Sequence, residues 1–278
     1  MDKETIIKYY NYTLPFYKFF YHKNSNAVHY GFFDKNTKNH QAALLNVNQC
    51  LADISRIKSG DVILDAGCGI GGSSIWLAKN YPVKVIGISI SGKQINEANR
   101  LSVKEKISDR AFFYERDFLN SGFSDESFDI VWAIESVCHA DDKKDFLKEA
   151  YRLLKPGGRL VIDDGFLLRK VGDKKEQKDY DAFLKGMALP NLASEQQFKK
   201  DLENLRFQNI KIYDKTKETW PSAKKIYRMS IFSYPFSVLT ERLQLTPHLL
   251  TLNNLAGITQ YRIIKNGLAG HRVFYAEK

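Results

Sequence analysis

The stretch Leu64-Asp-Ala-Gly-Cys-Gly-Ile-Gly-Gly-Ser-Ser74 constrains this chain more than any other. Gly67, Gly69, Gly71 and Gly72 follow a short apolar run, Val62 to Ala66, and precede a helix-like run from Ser73. Glycines at that spacing let the backbone turn tightly and come close to a ligand, and the N–H groups opening the helix face the same place. Dinucleotide-binding proteins use a similar turn, so the glycines alone do not choose the ligand. Asp65, just before the first glycine, does choose. A carboxylate there repels a pyrophosphate and suits a cationic group, such as the amino end of the methionine part of S-adenosylmethionine.

The segments that follow alternate. VKVIGIS, AFFYERD, SFDIVWAI and GRLVIDD read as strands, and GKQINEANRLSVKEK and DDKKDFLKEAYRLLK as helices, the last closed by Pro156-Gly157-Gly158. Strands alternating with helices predict a mostly parallel α/β sheet covered on both faces. Two late strands, FQNIKIYDKT and HRVFYAEK, are separated by about fifty residues of mixed helical character. The first twenty residues are rich in aromatics: Tyr9, Tyr10, Tyr12, Phe16, Tyr17, Phe19 and Phe20. A polar loop, YHKNSN, and then HYGFFD follow.

Composition narrows the class. At 278 residues, 44% hydrophobic and 27% charged, the chain can bury a full core. No apolar run approaches membrane-spanning length, and the first residues lack a signal-peptide pattern, so a cytoplasmic protein without stable membrane insertion is expected. Cys50, Cys68 and Cys138 are widely spaced, have no metal-ligand spacing and suit reduced thiols. No metal is expected. The net charge of +10 admits an anionic partner. Its strongest local bias is in 199–228, with nine Lys/Arg against four Asp/Glu. No RNA-binding motif accompanies it, and no Asn/Asp-Pro-Pro-Tyr-type motif for base methylation occurs, so no nucleic-acid partner is expected.

The motifs DAGCGIGG, GISISGKQ, RDF, ESVCH and LLKPGG stand in the order and spacing of class I S-adenosylmethionine-dependent methyltransferases. The chain resembles a branch containing tocopherol and sterol methyltransferases, sugar O-methyltransferases and geranyl diphosphate C-methyltransferase, well over about residues 27–165 and in outline beyond. The resemblance implies a Rossmann-like seven-stranded sheet of order 3-2-1-4-5-7-6, its last strand antiparallel, with a helical lid and cap. Residues 1–58 are expected as the lid and 59–278 as the core, with cap insertions around 166–205 and 217–266.

It also implies roles. Asp65, Gly67 and Gly69 form the cofactor turn. Ser89, where many such enzymes have an acid, would hold the ribose together with Gln94; Ser91 and Gln94 also fit a helix N-cap. Asp117 would accept from the adenine amino group, with Phe118 against the ring. Tyr30 would reach the methionine carboxylate, Gly31 would permit the approach, and His29 would either face the acceptor or be a partly exposed loop histidine, the second being favoured. Glu135 should stand at the fourth strand's carboxyl end, close to the methyl donor. His139 is the general-base candidate, oriented by Asp164, with Asp163 or Cys138 open for either slot; the alternative is that His139 caps the next helix.

The acceptor is expected to be a small, largely hydrophobic metabolite, possibly with an anionic group met by Lys224, Lys225 and Arg228. Tyr12, Tyr30 and Trp220 would steady a cation if carbon is methylated. The alternatives are a nucleic-acid methyltransferase, a methyltransferase of a small amine or phospho-base, and a catalytically silent cofactor-binding scaffold. A monomer or homodimer is expected.

Overall fold

A computed structural model describes residues 2–16 and 25–278. Tyr17, Phe19 and Phe20 and the first part of the polar loop lie outside the described residues, as does the side chain of Phe16. Strands β1 (Val62–Ala66), β2 (Lys84–Ser89), β3 (Ala111–Glu115), β4 (Phe128–Ile134), β5 (Leu154–Leu167), β7 (Gln208–Asp214) and β8 (Ala269–Glu277) run in the order 3-2-1-4-5-8-7. A two-residue strand, β6 (Ala193–Ser194), pairs with the end of β5 and raises the count to eight. Without it, the order is the expected one. Strand β8 is antiparallel to both its neighbours.

Helices α3 (Gly72–Asn80), α4 (Gly92–Lys104) and α2 (His40–Ser55) cover one side. Helix α5 (Lys143–Leu153) covers the other with α7 (Glu195–Asn204). Helix α5 turns Phe146, Leu147, Ala150 and Leu153 inward, a spacing that makes one apolar face. Fully burying each large side chain contributes roughly 1.5–3 kcal/mol. The helix ends at Leu153, before Pro156, because Leu154 already pairs with Phe128 of β4.

The remaining helices stand over the strands' carboxyl ends. They are α1 (Lys3–Phe16), α6 (Lys174–Gly186), α8 (Thr216–Arg242) and α9 (His248–Lys265). Helices α6, α8 and α9 pack together. Tyr180, Leu192, Ile263 and Leu268 join this group to Cys138, at the turn after β4. The strand order reverses between β1 and β4, which opens a crevice at the carboxyl edge.

Candidate functional site

The glycine turn builds the floor of that crevice. Gly67, Gly69 and Gly71 have φ of +91°, +55° and +82°. A Cβ on Gly67 would stand 2.3 Å from Ser136 Cβ, so this position needs glycine for space as well as for conformation. The N–H groups of Gly67 and Cys68 both donate to the Ile88 carbonyl, which ties the turn to β2. Helix α3 opens at Gly72 with no side-chain cap, leaving its first N–H groups for a ligand.

Asp65 is buried at the end of β1, and its Oδ2 accepts from Ser74 Oγ at 2.5 Å. Burial pushes this carboxyl up to about 6, outweighing the bonds from Ser74. A cation beside it would reverse that shift, because a nearby positive charge favours the ionised form.

Above the turn lies a cavity of about 330 Å³. Asp65, Gly67, Gly69, Ser89 and Gln94 line it, as do Asp117, Phe118, Glu135 and His139. Ser89 Oγ donates to Gln94 Oε1 at 2.7 Å. Ser91 caps α4 by accepting from the Gln94 N–H, so Gln94 serves the cap through its backbone and the cavity through its side chain. Asp117 accepts from the Leu119 N–H and pairs with Lys3 Nζ at 2.5 Å. Among the described residues, six acidic side chains line the cavity: Asp65, Asp117, Glu135, Asp141, Asp142 and Asp145. Among the same described lining residues, Lys3 is the only lysine or arginine. The chain is basic overall, yet this cavity is acidic.

Helix α1 forms the opposite wall with Ile6, Ile7 and Tyr10. The Tyr10 hydroxyl is 2.6 Å from His139 Nε2. The other ring nitrogen, Nδ1, faces the Ala188 carbonyl at 3.2 Å. A carbonyl only accepts, so Nδ1 carries the proton, and Nε2 accepts from Tyr10. Burial holds His139 down to about 4, so it is neutral at pH 7 with its lone pair turned to Tyr10. It does not cap the next helix; Asp142 does.

Several expectations about this region are corrected. Asp164 does not reach His139. Its carboxylate accepts from the N–H groups of Cys138 and Gly165, so it shapes the turn. The buried histidine–aspartate pair is a different one: His271 Nε2 on β8 lies 2.8 Å from Asp163 Oδ1 and 3.7 Å from Glu135 Oε1. These carboxylates raise His271 to about 9 against the opposing effect of burial. Burial above all lifts Glu135 to about 8. Glu135, Asp163 and His271 bring ligand-type atoms within 4.8 Å of one another. A protonated imidazole balances the charge there and has no free lone pair to offer an ion.

The ring of Tyr30 packs edge-on against His271 and is not among the lining residues. Its backbone N–H instead donates to Glu135 at 2.6 Å. Gly31 is needed for packing on α2, where a Cβ would meet that of Ala43 at 2.6 Å. His29 is buried and lines the cavity, contrary to the exposed reading. Tyr12 and Trp220 are not lining residues; Trp220 stacks on Tyr261. Lys224 and Arg228 are exposed on α8, and no residue of α8 lines the cavity. Tyr10, Ile6, Ile7 and His271 were not singled out as site residues by sequence, whereas Asp163 was named there as an alternative to Asp164. One of many aromatics near the start, and a histidine in a late strand, carry no local signal.

Residues 64–162 match a family described as a methyltransferase domain. The chain is 30% identical over 221 residues to the chloroplastic tocopherol O-methyltransferase of Arabidopsis thaliana, covering 73% of this chain and 64% of that one. The chain spans less than two thirds of the length of the curated relatives it matches. Among solved structures, geranyl diphosphate C-methyltransferase of Streptomyces coelicolor A3(2) superposes with a TM-score of 0.75 at 21% identity, over 99% of this chain and 96% of that one. That structure holds Mg2+, geranyl diphosphate and S-adenosyl-L-homocysteine. The [4+2]-cyclase SpnF superposes at 0.76 with 20% identity, covering 98% and 94%. At such identities the likeness is one of fold.

Proposed function

We infer, for a chain that carries a methyltransferase domain over residues 64–162, that it transfers a methyl group from S-adenosylmethionine to a hydroxyl or amine of a small, largely hydrophobic acceptor. The observation that carries the cofactor half is the acidic cavity built on a glycine turn, with buried Asp65 at its floor. A pyrophosphate would meet several carboxylates there, Asp117, Asp141, Asp142 and Asp145 among them, whereas a sulfonium with an ammonium group meets opposite charge. The Gly67 cradle, which a Cβ would fill, fits close approach of a ligand to the backbone.

When bound, S-adenosylmethionine supplies an electrophilic methyl group on a sulfonium. The chain's residues bind, orient and move a proton. Asp65 receives the ammonium, Ser89 and Gln94 the ribose hydroxyls, and Asp117 and Phe118 the adenine, once Lys3 gives up Asp117. Tyr10 and His139 are the proton path. The acceptor's proton would pass to the Tyr10 oxygen as the Tyr10 proton passes to His139 Nε2, leaving the acceptor oxygen to take the methyl group that bound S-adenosylmethionine would supply. A neutral histidine with its lone pair on the tyrosine is the state this requires.

Ile6, Ile7 and Tyr10 supply an apolar wall for the acceptor. Among the described lining residues Lys3, held by Asp117, is the only lysine or arginine, and this described lining favours a neutral acceptor over an anionic one. We treat α1, α6, α8 and α9 as the cover of the cavity; α2 (His40–Ser55), within the expected lid 1–58, packs on the sheet.

The test uses methyl-labelled S-adenosylmethionine with a panel of phenols, hydroquinones, amines and prenyl diphosphates, read by mass spectrometry beside calorimetry of cofactor binding. Labelled ether or amine product with micromolar binding supports the reading. No cofactor binding overturns it entirely. Binding without transfer to any acceptor class points to a scaffold or to other chemistry on this fold, as in the cyclase.

A further inference from the structure

Helix α8 is sided in a way the cavity does not use. Its inward residues Ser222, Ala223, Ser230, Ser237 and Thr240 are buried. Outward, Phe232, Phe236, Leu239 and Leu243 follow one another at spacings of four, three and four residues, which aligns them on one stripe. Phe232 is 83% exposed and Phe236 68%. Leu245, just past the helix, is 71% exposed, and Met229 and Ile231 flank the stripe. A contiguous apolar patch of this kind marks a contact surface.

The charges around it select what it meets. Lys224 and Arg228 are exposed at one end of the stripe and Arg242 at the other. The two acids of α8 are already paired, Glu218 with Lys215 and Glu241 with His248. In a two-fold dimer built on this face the patch would meet itself, and its cations would face identical cations. An anionic lipid surface takes the aromatics into its interface and neutralises the same cations. The chain's net charge of +10 works in the same direction. No helix among the described residues is long and apolar enough to cross a membrane, so the contact is with the surface.

We propose that the outward face of α8, from Lys224 to Leu243, docks this protein on an anionic lipid surface. This stands independently of the methyl-transfer reading, because its readout is adsorption.

The full chain is floated with vesicles of phosphatidylcholine alone and with about 30% phosphatidylglycerol added. Light scattering gives its mass without lipid, and circular dichroism checks the fold of each variant. The expected result is binding to the anionic vesicles at least about tenfold tighter than to neutral ones, weakened by about 0.5 M salt. F232S/F236S loses at least about tenfold, and K224E/R228E at least about fivefold for each cation reversed, both folded as the parent. Equal binding of the parent and F232S/F236S overturns the proposal, as does indifference to lipid charge. A dimer that F232S/F236S converts to monomer, with no vesicle binding by the parent, also overturns it and assigns the face to a second copy.

Discussion

The two walls of the cavity are built on opposite principles. The floor is local: Asp65 and the glycine turn lie within ten residues, and Ser89 with Gln94 within six. Backbone conformation and short hydrogen bonds hold them, including Asp65 with Ser74 and Ser91 with the Gln94 N–H. The roof is long-range. Helix α1 reaches the floor through single side-chain contacts: Lys3 to Asp117, Tyr10 to His139 and Asn11 to Ser91. The difference teaches that the donor's site is preorganised by backbone, while the acceptor's wall is assembled by contacts that single substitutions remove.

That contrast breaks most visibly at the proton path. Substituting Ala for His139, or Phe for Tyr10, is expected to lower kcat by about 10²–10³ while leaving the cofactor dissociation constant within about twofold. Stopped assays paired with calorimetry give both numbers. If cofactor binding falls in step with kcat, roof and floor are one unit and the contrast is wrong.

The floor should answer in the reverse sense. Asp65→Asn keeps the shape and the acceptor for Ser74 but removes the charge. Affinity for S-adenosylmethionine is expected to fall about 100-fold, in the range for losing one member of a buried charged contact. Unfolding in urea should move little, and unchanged affinity would remove Asp65 from the cofactor's ammonium.

A third measurement sharpens the same point without a mutation. Asp65 is pushed up to about 6 in the free protein. The ammonium binds its ionised form, so the contribution of Asp65 to affinity is complete above about pH 7 and is lost as pH falls through about 6. The limiting slope is about tenfold per pH unit. Calorimetry from pH 5 to 8 on the parent and Asp65→Asn checks it, because the variant should lack this slope.

The smallest effect belongs to the exposed end of the roof. Lys3→Ala frees Asp117 from a solvent-exposed pair, a kind that contributes only about 0–1 kcal/mol. Cofactor affinity should tighten by about twofold, with kcat unchanged. Weaker binding in that variant would mean Lys3 belongs to the cofactor site.

Local sequence determined the donor half of this protein. Gly67 adopts positive φ in the turn after β1, Ser91 caps α4, and Asp65 closes β1; each follows from residues that are near neighbours or from the alternation of strands and helices. The seven-strand order came with the resemblance, and only the two-residue β6 went unread, because so short a pairing has no periodicity. Tertiary structure alone decided the other half. It gave His139 a tyrosine from α1 in place of Asp164, whose oxygens the turn's own N–H groups had taken. It brought His271 from β8 to Asp163, more than a hundred residues away in the chain. It also turned Phe232 and Phe236 outward, because small residues already filled the inner face of α8. A periodic pattern shows which face a helix can bury, but which partner reaches a given side chain depends on how distant segments pack.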